Sequence, residues 1–517
     1  MDNHEKIEML ISQGEYYQAE GLAEHALNAF NQAVALAPQA AQAYLGRSDL
    51  LRRNGRLQEA LDDLRQALEL APADPEAHTM YAQALLQQGD LAEALRVAKR
   101  AIAIDASWCR SHLVHGDVLR ALGRLKDAAT AYRRALGLAP EPVEHHAALI
   151  ETLIQDGRHK EALAQIAVSL QSHPHNGWLY FLRGNALAES FAVEEALASY
   201  RRALKLIPHS QEARSAYARL LQSSGHYDEA LAEYRSLRRM RPDDAKLCCQ
   251  LAECYWQCGK ARHAIAAYDK AIKLGTADVD AYTGMAEALA ALGRQAEALA
   301  CYDRATELTP HDADLYAERG ALLYAMGKYD EAEKDINHAL RLDPANAEAF
   351  LTRADIRLQR RDNDGAVCDL AAAAKLLPED TATVIRWLRA VASTGAPEEA
   401  LHLLENILEH EQETDLVLLR GDFLHECGRH ADARAVYRKV CQRCPDDQEP
   451  LFRLAELETD LGRYDEALEF YSQAINLLPG EPLAYMLRAN LYRQLSQYQK
   501  AENDTRTAVM LRRQRSR

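Results

Sequence analysis

The sequence predicts an all-α fold, an α-solenoid of tandem antiparallel helix pairs, on the strength of two periodicities and one compositional bias. Pro38, Pro72, Pro140, Pro174, Pro208, Pro242, Pro310, Pro344 and Pro378 fall on a single 34-residue grid. Pro445 and Pro479 keep that spacing one residue out of phase, which places a one-residue deletion near position 412. Twelve residues ahead of each grid point stands an alanine, from Ala26, Ala60 and Ala94 through to Ala501, in all fifteen units between Ile7 and Arg515. Five residues earlier a glycine fills twelve of the fifteen, the exceptions being Phe191, Arg361 and Ser496. Aromatic residues make up 7% of the chain and charged residues 27%, a mix that suits helices packed through small side chains.

Each unit then reads in order. An apolar-periodic helix of three to four turns comes first, a glycine-bearing stop follows, and a second helix ends at the proline. Seven residues before the stop, a Gly, Ala or Ser fills thirteen units, broken only by Ile150 and Leu388. Small residues here and at the alanine position let the two backbones approach. Tyr44, Tyr132, Tyr200, Tyr268 and Tyr302 fill the space around them. One pair cannot bury its own apolar face, so neighbours stack and the core runs along the array.

On this register residues 1–517 read as a single solenoid of fifteen 34-residue units over 7–515, closed by a basic tail at 512–517. The tail gives the last helix a charged terminal face and complements its C-terminal dipole. The most irregular unit is 381–413. There Leu388 replaces the small residue, Trp387 precedes it, Ile407 replaces the second-helix alanine, and no proline follows in the run 409–414. It is expected to stack loosely or to mark a junction between two halves. Proline is also missing near Ala106 and Thr276, where the preceding helix is expected to run on or turn differently.

A formal charge of −16 argues against a nucleic-acid scaffold and permits basic partners. No signal-peptide core and no 18-residue apolar run is present, so a cytoplasmic chain without membrane contact is expected. Ten cysteines in 517 residues are too few for a disulfide scaffold.

Candidate chemistry is sparse. Cys248, Cys249, Cys254 and Cys258 crowd one helix, and Cys441 and Cys444 form a CxxC near His425, Cys427 and His430. Structural zinc usually needs a turn between ligand pairs, so these read as soft core residues rather than a metal site. No HExxH, phosphate-binding loop or nucleophile constellation occurs, so no enzyme activity and no cofactor are expected.

The unit 313–346, with Arg319-Gly320, Leu323, Gly327, Tyr329, Glu331-Ala332, Ala339 and Pro344, resembles the tetratricopeptide repeat, and the resemblance extends over 7–515. It implies a right-handed superhelix whose concave groove, lined by the first helices, holds peptide segments of partner proteins. On that pattern the second and ninth residues of each first helix face the groove. Both series are rich in acid. The ninth holds Glu15, Asp49, Asp117, Glu151, Glu253, Glu287, Asp355, Asp422 and Glu456. Against this background Trp178, Phe181, Asn185, Arg219, Lys246, Glu253 and Trp256 stand out as a candidate partner site, with exposed aromatics beside cations as its anchors. The family's carboxylate clamp is not reproduced. Asn185 and Lys246 fit it, but Phe181, Ala216 and Gln250 occupy the other places. The expected function is a scaffold or adaptor that holds a basic or extended protein segment. The alternative is a structural or regulatory subunit of a larger assembly, a homo-oligomer included, using its convex face or ends.

Overall fold

In the computed structural model the described residues are 3–140, 142–275, 278–408 and 413–515. They form thirty helices and no strand, and 81% of the described residues are helical. The helices are numbered α1–α30 in chain order, so odd numbers are first helices and even numbers second helices of a pair. Two compact units divide the chain, residues 1–267 and 268–517. Within each, a first helix packs on its own partner and also on the next first helix, as α5 (Pro75–Gln88) does on α7 (Cys109–Ala121), and α19 (Ala313–Ala325) on α21 (Ala347–Gln359).

The third pair shows why these residues make these elements. Asp74 caps α5 by accepting the Glu76 amide, and Pro75 starts the helix where its missing N–H costs nothing. Gly89 ends it in the left-handed conformation at φ 90°. Asp90 then caps α6 (Leu91–Ile104) through the Glu93 amide. Ala77, Met80, Ala84 and Leu85 of α5 bury against Ala94, Val97 and Ala98 of α6. Side chains of the Leu, Met and Val class contribute about 1.5–3 kcal/mol each when fully buried.

All three units that lack the turn glycine put their substitute in the same conformation: Phe191, Arg361 and Ser496 have φ of 59°, 63° and 58°. An L side chain there costs about 1–2 kcal/mol, partly offset by the extra unfolded-state entropy that glycine would bring. Ser496→Gly, at an exposed position, should therefore raise stability by about 0.5–1 kcal/mol. Urea melts of the two full-length proteins measure this, and an unchanged midpoint would mean that the strain is relieved elsewhere.

Small and large residues are matched across each pair. A Cβ at Gly116 would lie 2.7 Å from the Tyr132 ring, and one at Gly184 2.5 Å from the Tyr200 ring. Phe30 does this twice, its ring lying over Gly14 of its own repeat and Gly46 of the next. Leu388 and Ile150, the two exceptions to the small-residue rule, are fully buried. The facing positions then carry Leu404 and Ile166 in place of an aromatic ring.

Leu388 and Leu404 belong to one continuous core with Val384, Val391, Leu401, Leu416 and Phe423. Unit 381–413 is thus built from α23 (Thr381–Ser393) and an α24 (Pro397–Ile407) of 11 residues, with Leu388 enclosed in packing. Residues 409–412, where its proline is missing, lie outside the described residues, as does Thr276. At Ala106 the helix does not run on. α6 still stops at Ile104, and Asp105 Oδ1 accepts from the Ser107 amide (2.8 Å) and hydroxyl (2.6 Å) in a side-chain turn that does the work of the proline.

A second device ties neighbouring repeats. The Arg47 guanidinium grips Asp63 with two hydrogen bonds (2.8 and 2.7 Å) on the second helix of its own repeat, and donates to Asn31 (2.9 Å) on the previous one. Arg319 does the same with Asp335 and Asp303, Arg353 with Asp369 and Asn337, and Arg488 with Asp504 and Ser472. These forked pairs are the strong form of the ion pair, and each fixes three helices at one point.

Candidate partner-binding site

The predicted site residues all lie in the unit of residues 1–267, and they fall into separate groups. Asn176 caps α11 (Gly177–Ala188) by accepting the Leu179 amide at 3.0 Å, and this sets the first turn carrying Trp178. Trp178 is half-buried. Its ring centroid lies 4.7 Å from that of Phe181, and its indole N–H donates to Glu151 Oε1 at 3.2 Å. Glu151, on α9 (Val143–Gln155), also accepts from Arg120 of α7 at 3.2 Å. Arg120, Glu151 and Trp178 therefore form a polar chain across three successive first helices.

Phe181 departs from expectation. It is 8% exposed, set between Trp178 and Tyr200, so it is a core residue and not an exposed anchor. The cause is Gly184. With no side chain there, Tyr200 leans onto α11 and Phe181 packs on its ring. Asn185 is likewise engaged, its Oδ1 accepting the Tyr200 hydroxyl at 2.7 Å.

Arg219 on α13 (Gln211–Ser223) and Lys246 on α15 (Ala245–Gln257) are exposed, and together with Ser215, Asp244 and Gln250 they line one cavity of 230 Å³. Trp256 is half-buried, and Glu253 is exposed and accepts from Gln257 at 3.4 Å. Neither belongs to that cavity. On the same helix Cys248 and Cys254 are buried, and burial pushes the Cys254 thiol up to about 12, as suits a soft core residue. Among the described residues no three metal-ligating side chains come together.

Many of the first-helix acids carry cations of their own. Asp49 accepts from Gln18 and pairs with Arg52 and Arg53; burial works to raise its pKa, but these partners hold it below the usual range. Asp355 pairs with Arg386 at 2.6 Å, and Asp422 accepts the Tyr437 hydroxyl at 2.8 Å with Arg453 at 3.6 Å. Asp422, Glu456 and Asp460 line a 1080 Å³ cavity in residues 268–517, and Arg389 and Arg453 share it.

Glu318 is different, and sequence reasoning missed it. It sits at the sixth rather than the ninth position of α19, one turn after Asp314, and that i,i+4 acid pair is the signal that was available. Its carboxyl is pushed up to about 7, first by burial and then by Glu287, Asp314, Glu348 and Asp312. Its Oε2 is buried without a hydrogen-bond partner.

A carboxyl raised in the folded chain stabilises it when protonated. That contribution is lost as pH climbs from the free value of 4.5 through about 7. Glu318→Gln should therefore be close to neutral at pH 5 and stabilising by about 1–2 kcal/mol at pH 8, after allowing for partial solvent screening. Thermal melts at both pH values give the test. An equal effect at each would contradict the raised carboxyl.

Models of the tetratricopeptide repeat match residues 11–75, 49–107, 113–177 and 249–313, residues 286–357, and residues 187–247 and 424–491. A tetratricopeptide repeat-like domain model matches 344–453. Comparison with curated proteins gives no match.

Among solved structures, the chain is similar to the APC/C heterotetramer Cut9–Hcn1, at 12% identity over 94% of this chain and 96% of that one, with a TM-score of 0.37. It is also similar to YrrB, a repeat protein with an unusual peptide-binding site, at 24% identity over 36% of this chain and 96% of that one (TM-score 0.31). PilF of Pseudomonas aeruginosa shows 17% identity over 42% of this chain and 99% of that one (TM-score 0.37). Among the described residues no helix is long and apolar enough to cross a membrane. With repeat models tiling residues 11–491, on a register read independently from prolines, alanines and glycines, the chain belongs to the tetratricopeptide repeat family, whose arrays are protein-interaction scaffolds.

Proposed function

We propose that this chain is an adaptor that holds a basic, extended segment of a partner protein along its first-helix face, centred on Glu287, Asp314, Glu318 and Glu348. The observation that carries the reading is the Glu318 carboxyl, whose Oε2 is buried without a hydrogen-bond partner and which is raised to about 7 first by that burial and then by its acidic neighbours. A Lys or Arg side chain brought among these carboxylates relieves their repulsion and draws Glu318 back to its ionised form. In the other unit, the exposed cations Arg219 and Lys246 line one cavity and the half-buried Trp256 stands outside it, and in this reading they serve as further contacts for the partner. All ten cysteines are free thiols, which supports a reducing, cytoplasmic setting.

The test begins with capture of the partner from the native host by a photo-crosslinker at exposed Ala321, followed by mapping of the linked segment. A Lys- or Arg-rich segment is expected. Its affinity should fall as salt rises and should collapse in Glu318→Lys. Trp256→Ala should cost about 2 kcal/mol of binding with an unchanged melt. An acidic linked segment, or binding indifferent to salt, would sink the proposal. A lowered melt for Trp256→Ala would return that residue to the core.

A further inference from the structure

The fourth repeat breaks the Arg–Asp device in a way that builds a site. In four repeats an arginine on the first helix meets an aspartate 16 residues later and an acceptor 16 residues earlier, as Arg47 meets Asp63 and Asn31. In repeat four those three places hold His115, Ala131 and Lys99. The central cation is replaced by an imidazole, the buried carboxylate by a methyl group, and the acceptor by an ammonium. The polarity of the position is inverted.

The structure leaves a cavity of 720 Å³ at this point, between α6, α7 and α8 (Leu125–Leu138), within the range of small-molecule pockets. Ile102, Leu119 and Ala131 give it an apolar lining, while Lys99, Arg124, Arg133 and Arg134 bring four cations against the single carboxylate of Asp127. Asp127 is already spent on Arg124 at 2.6 Å, and Arg133 reaches Glu161 at 2.7 Å. Lys99 and Arg134, both exposed, have no carboxylate within ion-pair distance among the described residues. His115 Nε2 is buried with no hydrogen-bond partner, whereas the adjacent His112 is engaged with the Ala106 carbonyl at 3.0 Å. On a chain of net charge −16, this is a local reversal of sign around a hollow.

We propose that this cavity binds the anionic head of a small organic molecule, a carboxylate or a phosphate monoester, with Lys99, Arg134 and His115 as its contacts and the apolar lining receiving its body. The anion takes the place that aspartate fills in the four repeats with the Arg–Asp tie. Two exposed cations and a half-buried imidazole with an enclosed Nε2 then gain the acceptor each lacks. Burial, followed by Lys99, His112 and Arg124, holds the His115 imidazole below its ordinary pKa, with Asp127 opposing. A bound anion reverses the balance and raises it.

The experiment uses the full chain with three probes: phenyl phosphate, benzoate and inorganic phosphate. Calorimetry reads affinity, and histidine-labelled NMR reads the His115 titration. At least one organic probe should bind saturably and shift the His115 midpoint upward. Tighter phenyl phosphate would assign the head as phosphate, and tighter benzoate as carboxylate. Lys99→Glu with Arg134→Glu should weaken binding at least tenfold, while Lys205→Glu, an exposed lysine on α12 (Val193–Leu206), leaves it unchanged. His115→Arg with Ala131→Asp writes the missing ion pair into the cavity, and should abolish binding while the melt is kept or raised. The proposal is overturned if neither organic probe saturates, or if the charge reversals leave affinity intact. It also fails if inorganic phosphate binds as tightly as both organic probes, since the apolar lining would then play no part.

Discussion

Arg434→Ala should destabilise the pairing of α26 (His430–Arg443) with α27 (Glu449–Asp460) by about 3–5 kcal/mol. Its partner Glu458 is 1% exposed, the most buried carboxylate among the described residues. Arg434 reaches both of its oxygens, at 2.6 and 2.8 Å, and Arg463 stands off at 3.5 Å. Removing the arginine leaves a charge stripped of water with one distant cation, and that uncompensated charge accounts for most of the cost. Hydrogen exchange across α26 and α27 should report the loss locally, because a repeat array opens in parts. The double replacement Arg434→Met with Glu458→Leu should recover most of the stability. A single replacement costing under about 1 kcal/mol would show that water already reaches Glu458.

Tyr437→Ala should cost a similar amount, about 3–5 kcal/mol, by a different route. The ring is fully buried and rests on Gly421, where no side chain is present to follow it into the space left behind. The phenol also donates to Asp422, and burial and that carboxylate together make the phenol harder to ionise than an ordinary tyrosine. Tyr437→Phe separates the two contributions and should cost only about 1 kcal/mol, the worth of the hydrogen bond. Gly421→Leu with Tyr437→Leu copies the Leu388 and Leu404 arrangement and should regain much of the loss. If the alanine variant melts like the parent, the wedge carries little of the packing.

The register was legible because it is enforced by sterics that admit few residues. A left-handed turn wants glycine, and a helix crossing under a tyrosine ring wants no Cβ. Even the failures were informative, since the three units without glycine are the three with a strained turn. Burial of individual groove residues was less accessible. Phe181 and Trp178 stand three apart on one helix face, and only Tyr200, tilted over Gly184, decides that one is covered and the other half-open. The Arg–Asp ties went unseen because their 16-residue spacing belongs to neither helix period; it arises from antiparallel geometry across a turn. Glu318 does not show at any fixed repeat position, because its character comes from burial and from carboxylates on its own and neighbouring repeats.

The Phe30 ring, shared between Gly14 and Gly46, bears on how such an array can gain or lose repeats. Excising residues 41–74 removes one whole 34-residue period and leaves the remaining turns and prolines in register, with Ala40 taking the capping place of Asp74. Yet it would bring Met80 to the place of Gly46, under a ring that has room only for hydrogen. Tyr268 and Gly284 stand in the same relation further along. In-frame duplication or loss of a period is therefore neutral only where the two new neighbours agree in size. The order of the repeats is itself inherited information, and a shuffled array of the same fifteen would not be the same protein.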